Sequence, residues 1–474
     1  MTRVIRSTLA PFLLLLLVAT GCKDLESPNF NFADLDDLRS NPTRANVTAA
    51  IQGLLIGSRI YVGQGPNDIV SELGILGRQS YNLDNQDPRF ESQLLRQGGM
   101  DPAAPAFGGN YWLEPYANIR LGDLVLNALD QLPDDPLAGF TAAEKAWVRG
   151  FVKTINAVDF LTIVITRDTN CGCPIEVLED VADPAPTVDR QGVYDKIVSL
   201  LDGARSDLAA ASGPPPFQLS SGFDGLPGSG AGLFKTPAGF LQFNRALAAR
   251  VQVYIGSLPF GSAANFTAAL QALTESFLDA GGDLDIGVYH AFGTGSGDIT
   301  NGLFEPGSSP NLRAHPSIKA DAEAGDLRFA RKTRAVDSRS FQGLCSPQSI
   351  FPVCDVGFDI YNSLTTPIPI IRNEELILLR AEANIGLGNL AAAAADINLI
   401  RAVSGGLPPV ALVSQAQALD QLLFEKRYSL LYEGGHRWID ARRYGKLGEL
   451  PLDLPGHIVF DKYPIPIDEQ LARQ

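Results

Sequence analysis

Seven charged residues in the last quarter of the chain have the types and spacing that chemistry could use: Glu382, Arg401, Glu425, Arg427, Glu433, Arg437 and Asp440. Paired carboxylates run glycoside hydrolysis, one as acid and the other as nucleophile or base. These carboxylates, however, recur at helical spacing among apolar residues, each with an Arg or Lys within reach. That pattern describes ion pairs that tie helices together, with Arg suited to clamp a carboxylate through two parallel hydrogen bonds. Glu382, Arg401, Glu433, Arg437 and Asp440 are therefore read as structural, with no catalytic residue among them. Glu433 before Gly434-Gly435 fits a helix end and a tight turn, after which Arg437 and Asp440 would fix the direction of the next segment.

The other reactive side chains are sparse. Four His stand far apart in sequence, so no multi-histidine metal site and no cofactor is expected. His436 shares the Gly434-Gly435 turn, and His290 and His315 lie where a ligand could meet them. Of five Cys, Cys345 and Cys354 bracket a Pro-containing loop suited to a disulfide, while Cys171-Gly172-Cys173 leaves local pairing, cross-pairing and free thiols all open. Aromatic residues on irregular segments offer flat apolar faces of the kind that stack on sugar rings. Tyr81, Asn82, Tyr289 and Phe292 are the ligand-binding candidates on this ground, whereas Trp112, Trp147 and Trp438 sit in helical contexts suited to a core.

The elements that must position these groups are mainly helices. Apolar residues recur with helical periodicity over Val47–Ile60, Tyr111–Leu132, Thr141–Ile165, Val193–Ala211, Pro237–Ile255, Asn265–Leu278, Asn373–Leu387, Leu390–Val403 and Ala416–Tyr432. Short joints such as Gly386-Leu387-Gly388-Asn389, with Gly suited to a helix C-cap, make antiparallel pairs that would bury shared faces as helical repeats do. The expected fold is mostly α: irregular tetratricopeptide-like pairs in a superhelical scaffold. Gly-, Pro- and Ser-rich insertions around 63–110, 212–236 and 280–369 would build a ligand-binding face, since long loops in compact domains are commonly functional.

The N-terminus supplies an address. Arg3 and Arg6 precede an apolar run from Leu9 to Ala19 that ends in Thr20-Gly21-Cys22, the layout of a secretory signal and too short for a ~20-residue membrane span. Val18-Ala19-Thr20-Gly21-Cys22 resembles a bacterial lipobox. Residues 1–21 would be removed, Cys22 would carry acyl chains (palmitate among them), and residues 22–43 would form a tether to the folded unit at 44–474. Two or more chains give stable attachment to a bilayer, and Lys23 after the Cys favours the outer membrane. The net charge of -15 argues against nucleic-acid binding, which needs a basic surface.

The C-terminal third carries a resemblance. Arg372-Asn373-Glu374-Glu375-Leu376 through Arg380-Ala381-Glu382-Ala383 is followed by Gly388 and by Asp396-Ile397-Asn398-Leu399-Ile400-Arg401. Then come Glu425-Lys426-Arg427, Glu433-Gly434-Gly435-His436-Arg437-Trp438-Ile439-Asp440 and Tyr463-Pro464-Ile465-Pro466. This series resembles the SusD/RagB family of outer-membrane nutrient-binding lipoproteins, although Ser429 stands where that family often has Glu. The resemblance implies a non-catalytic, cell-surface lipoprotein that binds oligosaccharides, or peptides, and delivers them to a SusC-like TonB-dependent barrel. A tetratricopeptide-like scaffold for envelope protein assembly is the competing expectation.

Overall fold

The computed structural model describes residues 35–63, 65–104, 107, 109–176 and 184–474. The lipobox, Cys22 and the start of the tether lie outside the described residues. Sixteen α-helices stand among them. The scaffold is built from α2 (Arg44–Gly57), α5 (Asn110–Gln131), α6 (Ala142–Arg167), α7 (Arg190–Ala210), α8 (Pro237–Gly256), α9 (Ala263–Thr274), α12 (Asn373–Gly386), α13 (Leu390–Ile400) and α14 (Gln415–Ser429). All nine coincide with the periodic segments read from sequence.

Local chemistry sets their ends. Thr43 and Thr141 each accept a backbone N–H three residues on while Asn46 and Glu144 bond back to the cap, forming capping boxes that satisfy otherwise orphaned donors. Thr236 caps α8, whose first residue is Pro237, where the missing N–H costs nothing. The helices pack in sequence as α2 on α5, α6 on α7, α8 on α9 and α12 on α13, each pair against the next. This is the tetratricopeptide-like superhelix. At 26 residues, α6 is about 39 Å long and forms its axis, buried along most of its length. The pairs approach closely where small residues face rings: a Cβ on Gly386 would lie 2.4 Å from the Phe266 ring.

The insertions are more structured than their composition suggests. The stretch 63–110 contains α3 (Ile69–Leu76), in which every residue is buried, β1 (Ser80–Asn82) and α4 (Arg89–Ser92). The stretch 280–369 supplies β4 (Gly287–His290), β5 (Leu312–Ala314), β6 (Thr333–Ala335), β7 (Val356–Phe358), the start of β8 (Ile368–Arg372), α10 (Pro316–Ala320) and α11 (Leu327–Lys332). One antiparallel sheet has the order β1-β5-β7-β6, with Tyr81 opposite Arg313; β4 and β8 form another, with a bulge between Val288 and Tyr289. A two-stranded ribbon pairs β2 (Cys173–Pro174) with β3 (Thr187–Val188). Disulfides join Cys345 to Cys354 and Cys171 to Cys173. The final helices are α15 (His436–Arg443) and α16 (Ile467–Ala472), and α1 is Leu35–Ser40, whose Leu38 is buried within the range read as tether. Among the described residues no helix is long and apolar enough to cross a membrane.

Candidate functional site

A cleft of about 510 Å³ opens where the scaffold meets two insertions, within the usual range of ligand sites. The C-terminal half of α2 contributes Gln52, Leu55, Ile56 and, just beyond it, Arg59. The segment 218–223 contributes Gln218, Leu219, Ser220 and Ser221, while β4 and its following loop contribute Tyr289, His290, Phe292, Ser296 and Asp298. Ile155 of α6 and Ile370 of β8 form the apolar floor.

Sequence fixes this wall at two tight contacts. A Cβ on Gly222 would sit 1.9 Å from the Tyr289 carbonyl oxygen, and one on Gly63 would sit 2.3 Å from Phe292 Cζ. Only glycine lets the loop close on β4 and the Phe292 ring lie against the end of α2. Arg59 then staples the rim. Its guanidinium donates to the Ala291 carbonyl and pairs with Asp298, and it stands 5.9 Å from the Phe292 ring centroid, a cation–π distance. Asp298 Oδ1 also accepts the Ile299 N–H at 2.8 Å, so the loop holds its shape without a ligand.

His290 is the most informative group. It is 8% exposed and lines both this cleft and a smaller adjoining cavity of about 90 Å³. Burial, helped by the Arg59 charge, pushes its pKa down to about 3. The ring is therefore neutral at pH 7 and offers one donor and one acceptor. No protein side chain or backbone group among the described residues takes up either. Neither nitrogen is sealed away from the cleft, so a ligand hydroxyl entering it is a natural partner for each.

The four ligand candidates fall into two places. Tyr289 and Phe292 share the cleft wall, each 7% exposed, and the Tyr289 hydroxyl is committed to the Asp285 carbonyl. Tyr81 and Asn82 stand apart on β1, at 1% and 3% exposure. Tyr81 packs 4.7 Å from the His315 ring, and Asn82 Oδ1 accepts the Asp84 N–H at 3.0 Å. His315 is a structural residue: its ring bonds Asp453 at 3.1 Å and Ser317 Oγ at 2.8 Å. Arg59, Gln218, Ser220, Ser221 and Asp298 carried no sequence signal, because only the tertiary fold brings 59, 218–221 and 298 together.

The C-terminal charges are committed to one another. Glu382 meets Lys426 at 2.9 Å and Arg443 at 2.7 Å, and Asp440 meets the same two cations at 2.7 and 2.5 Å. Glu433 is gripped by Arg372 at 2.9 Å and by Lys332 at 2.5 Å, fixing the turn against β8 and α11. Arg401 bridges Glu425 at 2.7 Å and Glu323 at 2.6 Å. Arg328 completes that group through Glu425, Asp326 and the Ser429 hydroxyl, at 3.2 Å for the last. Burial raises the carboxyls of Glu382, Asp440 and Glu433, but the adjacent cations more than offset it and hold all three below the usual range. Arg437 differs: it has no carboxylate partner among the described residues and donates to the Arg78 carbonyl at 2.8 Å. The expectation of an ion pair at Arg437 is corrected accordingly.

Residues 360–463 match the model of the SusD family, the segment that holds the paired Glu382, Arg401, Glu433 and Asp440. This segment of the chain is SusD/RagB-like in sequence. Solved structures share the fold across nearly the whole chain. A SusD homolog from Bacteroides thetaiotaomicron is 13% identical, with a TM-score of 0.66 and coverage of 93% of this chain and 97% of that one. A SusD-like carbohydrate-binding protein from Bacteroides fragilis is 14% identical, with a TM-score of 0.66 and coverage of 92% and 98%. A laminarin-binding SusD-like protein is 18% identical, with a TM-score of 0.62 and coverage of 90% and 97%. At these identities the likeness is one of fold. No curated protein matches the chain in sequence. The matched segment is thus the ion-paired end of the scaffold, while most of the cleft lies before it.

Proposed function

We propose that this chain is a non-catalytic binding protein that takes an oligosaccharide into the cleft between α2, the 218–223 segment and the loop after β4. The neutral, unpartnered imidazole of His290 carries this reading. It lies beside Gln218, Ser220, Ser221 and the apolar edge of Phe292, a mixture that suits a ring with hydroxyls at its rim and C–H groups on its faces. A weakly polar, uncharged ligand matches a histidine kept neutral. The laminarin-binding and carbohydrate-binding relatives of the fold support the same ligand class.

Absence of catalysis rests on the carboxylates. Among the described residues Asp298 is the one carboxylate lining the cleft, whereas hydrolysis of a glycosidic bond calls for two across ~5–9.5 Å. The lipobox ending in Cys22 supports an acylated, outer-membrane, cell-surface protein that hands its ligand to a SusC-like TonB-dependent barrel. Purification of the lipidated chain from outer membranes in mild detergent, followed by mass spectrometry, tests the delivery role. A near-stoichiometric TonB-dependent barrel is expected. Recovery with envelope-assembly proteins in place of a barrel would shift the reading to the scaffold alternative.

A further inference from the structure

The cleft has a side chamber. A cavity of about 90 Å³ shares His290 and Ile370 with the cleft wall and runs inward between α6, β8 and the start of α15. That volume falls well short of the ~300 Å³ at which ligand pockets begin, yet it is several times the ~10–15 Å³ that one water needs. It has room for a substituent and not for a sugar ring. Val158, Leu161, Ile165 and Ile439 give it a largely apolar wall. Three polar side chains on the lining keep hydrogen-bonding capacity unspent. His290 stands unpartnered at the mouth. His436, 7% exposed, makes no side-chain hydrogen bond among the described residues; its Nδ1 is sealed, which leaves Nε2 as the nitrogen a guest could reach. Arg250 gives Nε and Nη2 to Glu375 at 2.7 and 2.6 Å, and Nη2 also to the Ile370 carbonyl at 2.6 Å; its Nη1 has no protein acceptor among the described residues. Glu433, the one carboxylate among the described lining residues, is spent on Arg372 and Lys332. Arg250 and Glu433 cancel in charge, and burial keeps His290 and His436 neutral at pH 7. The chamber therefore suits an uncharged guest with one polar and one apolar end. Water is a poor substitute, because each molecule needs two to four polar partners and the apolar wall offers none.

We propose that this chamber is a subsite for the acetamido group of an N-acetylated sugar bound in the cleft, with the acetyl methyl pressed on Val158, Leu161, Ile165 and Ile439. The inference rests on the oligosaccharide reading of the cleft and narrows its substrate class to glycans that carry acetamido sugars. Arg250 Nη1 and His436 supply donors for the acetamide carbonyl oxygen, and the acetamide N–H donates to the imidazole of His290 at the mouth. A sugar with a plain hydroxyl at the same carbon is too short to reach these groups, and it leaves the apolar wall uncovered. A carboxylate substituent fits poorly, because the Arg250 charge is already met by Glu375.

The test is a saturation-transfer NMR titration of the full mature chain with N-acetylglucosamine against glucose and N-acetylgalactosamine against galactose, each pair differing only in the group at C2. The acetylated sugar of each pair should bind roughly tenfold more tightly, the worth of a buried methyl and one hydrogen bond. Its acetyl methyl protons should be saturated most strongly. Val158 is half-buried on the chamber wall and does not line the cleft, so Val158→Phe fills the chamber and should bring the two affinities of each pair to parity. Val158→Leu fills it in part and should lower the ratio in the same direction, which keeps the test open if the larger ring lowers the thermal midpoint. Equal affinities within each pair, a methyl signal no stronger than that of the ring protons, or a preference that survives Val158→Phe at an unchanged midpoint overturns the proposal. If unacetylated glycans bind in calorimetry while the acetyl preference is missing, the subsite alone fails. If no sugar binds, acetylated or not, the oligosaccharide reading of the cleft fails with it.

Discussion

Replacement of Glu382 by Gln isolates what the buried ion-pair quartet does for the fold. Glu382, Asp440, Lys426 and Arg443 have side chains at most 4% exposed, and the Tyr444 hydroxyl adds a hydrogen bond to Glu382 at 2.8 Å. Two anions and two cations make a neutral group. The substitution is nearly isosteric, so it leaves one uncompensated cation in a dry site without opening a cavity. Breaking a buried pair in this way costs about 3–5 kcal/mol. With about 2.1 cal/mol/K per residue of unfolding entropy, a chain of 474 residues has roughly 1 kcal/mol/K, which converts the loss to a fall of about 3–5 °C in Tm. Calorimetry of the mature chain reads this directly. The double variant Glu382→Gln/Lys426→Met restores neutrality and should regain most of the loss. A Tm within about a degree of the parent for the single variant, or a double variant worse than either single one, would refute the reasoning.

Three further outcomes follow from the same physics. Burial raises the Asp159 carboxyl to about 7 despite hydrogen bonds from Tyr61 and Asn118; its folded pKa lies above its unfolded one, so stability should fall as pH rises from about 4 to 7. Over that range ~3 units correspond to about 4 kcal/mol, and Asp159→Asn should flatten the pH profile of Tm measured by circular dichroism. His290, held down to about 3, has the opposite sign: it costs stability as pH falls from about 6.5 toward 3, and His290→Phe should remove that slope. Opening the Cys345–Cys354 bridge, nine residues apart, by a Ser pair should cost about 2.5–3 kcal/mol on the chain-entropy model, seen as a fall in Tm.

How far the sequence reveals this molecule depends on which signal each element carries. Scaffold helices such as Arg44–Gly57 and Arg190–Ala210 have one buried and one wetter face, so the 3.6-residue period is written into them. Helix Ile69–Leu76 is buried on every side and therefore has no period to read. The strands are two to five residues long, too short for alternation to show. In the cleft, Tyr289 and Phe292 were legible as aromatics on an irregular segment. Tyr81 gave the same signal, yet its strand is covered on both faces, a tertiary fact that composition does not encode. Arg59 and Asp298, 239 residues apart, meet only once the chain has folded. The ion pairs around Glu382, Arg401, Glu433 and Asp440 were readable because charges at helical spacing on an apolar face need partners, while the lone charge of Arg437 was not.

His290, Phe292 and Gln218 line the cleft in which we place the ligand. Isothermal calorimetry of the mature chain against a panel of soluble oligosaccharides, laminarin fragments included, tests this placement most directly when paired with Ile56→Trp. Ile56 is 44% exposed on the cleft wall, so the larger ring fills the cleft without disturbing the core. Saturable binding of at least one glycan, lost in Ile56→Trp at unchanged Tm, is the predicted result. A glycan bound equally well by both proteins would place the ligand elsewhere and contradict the claim.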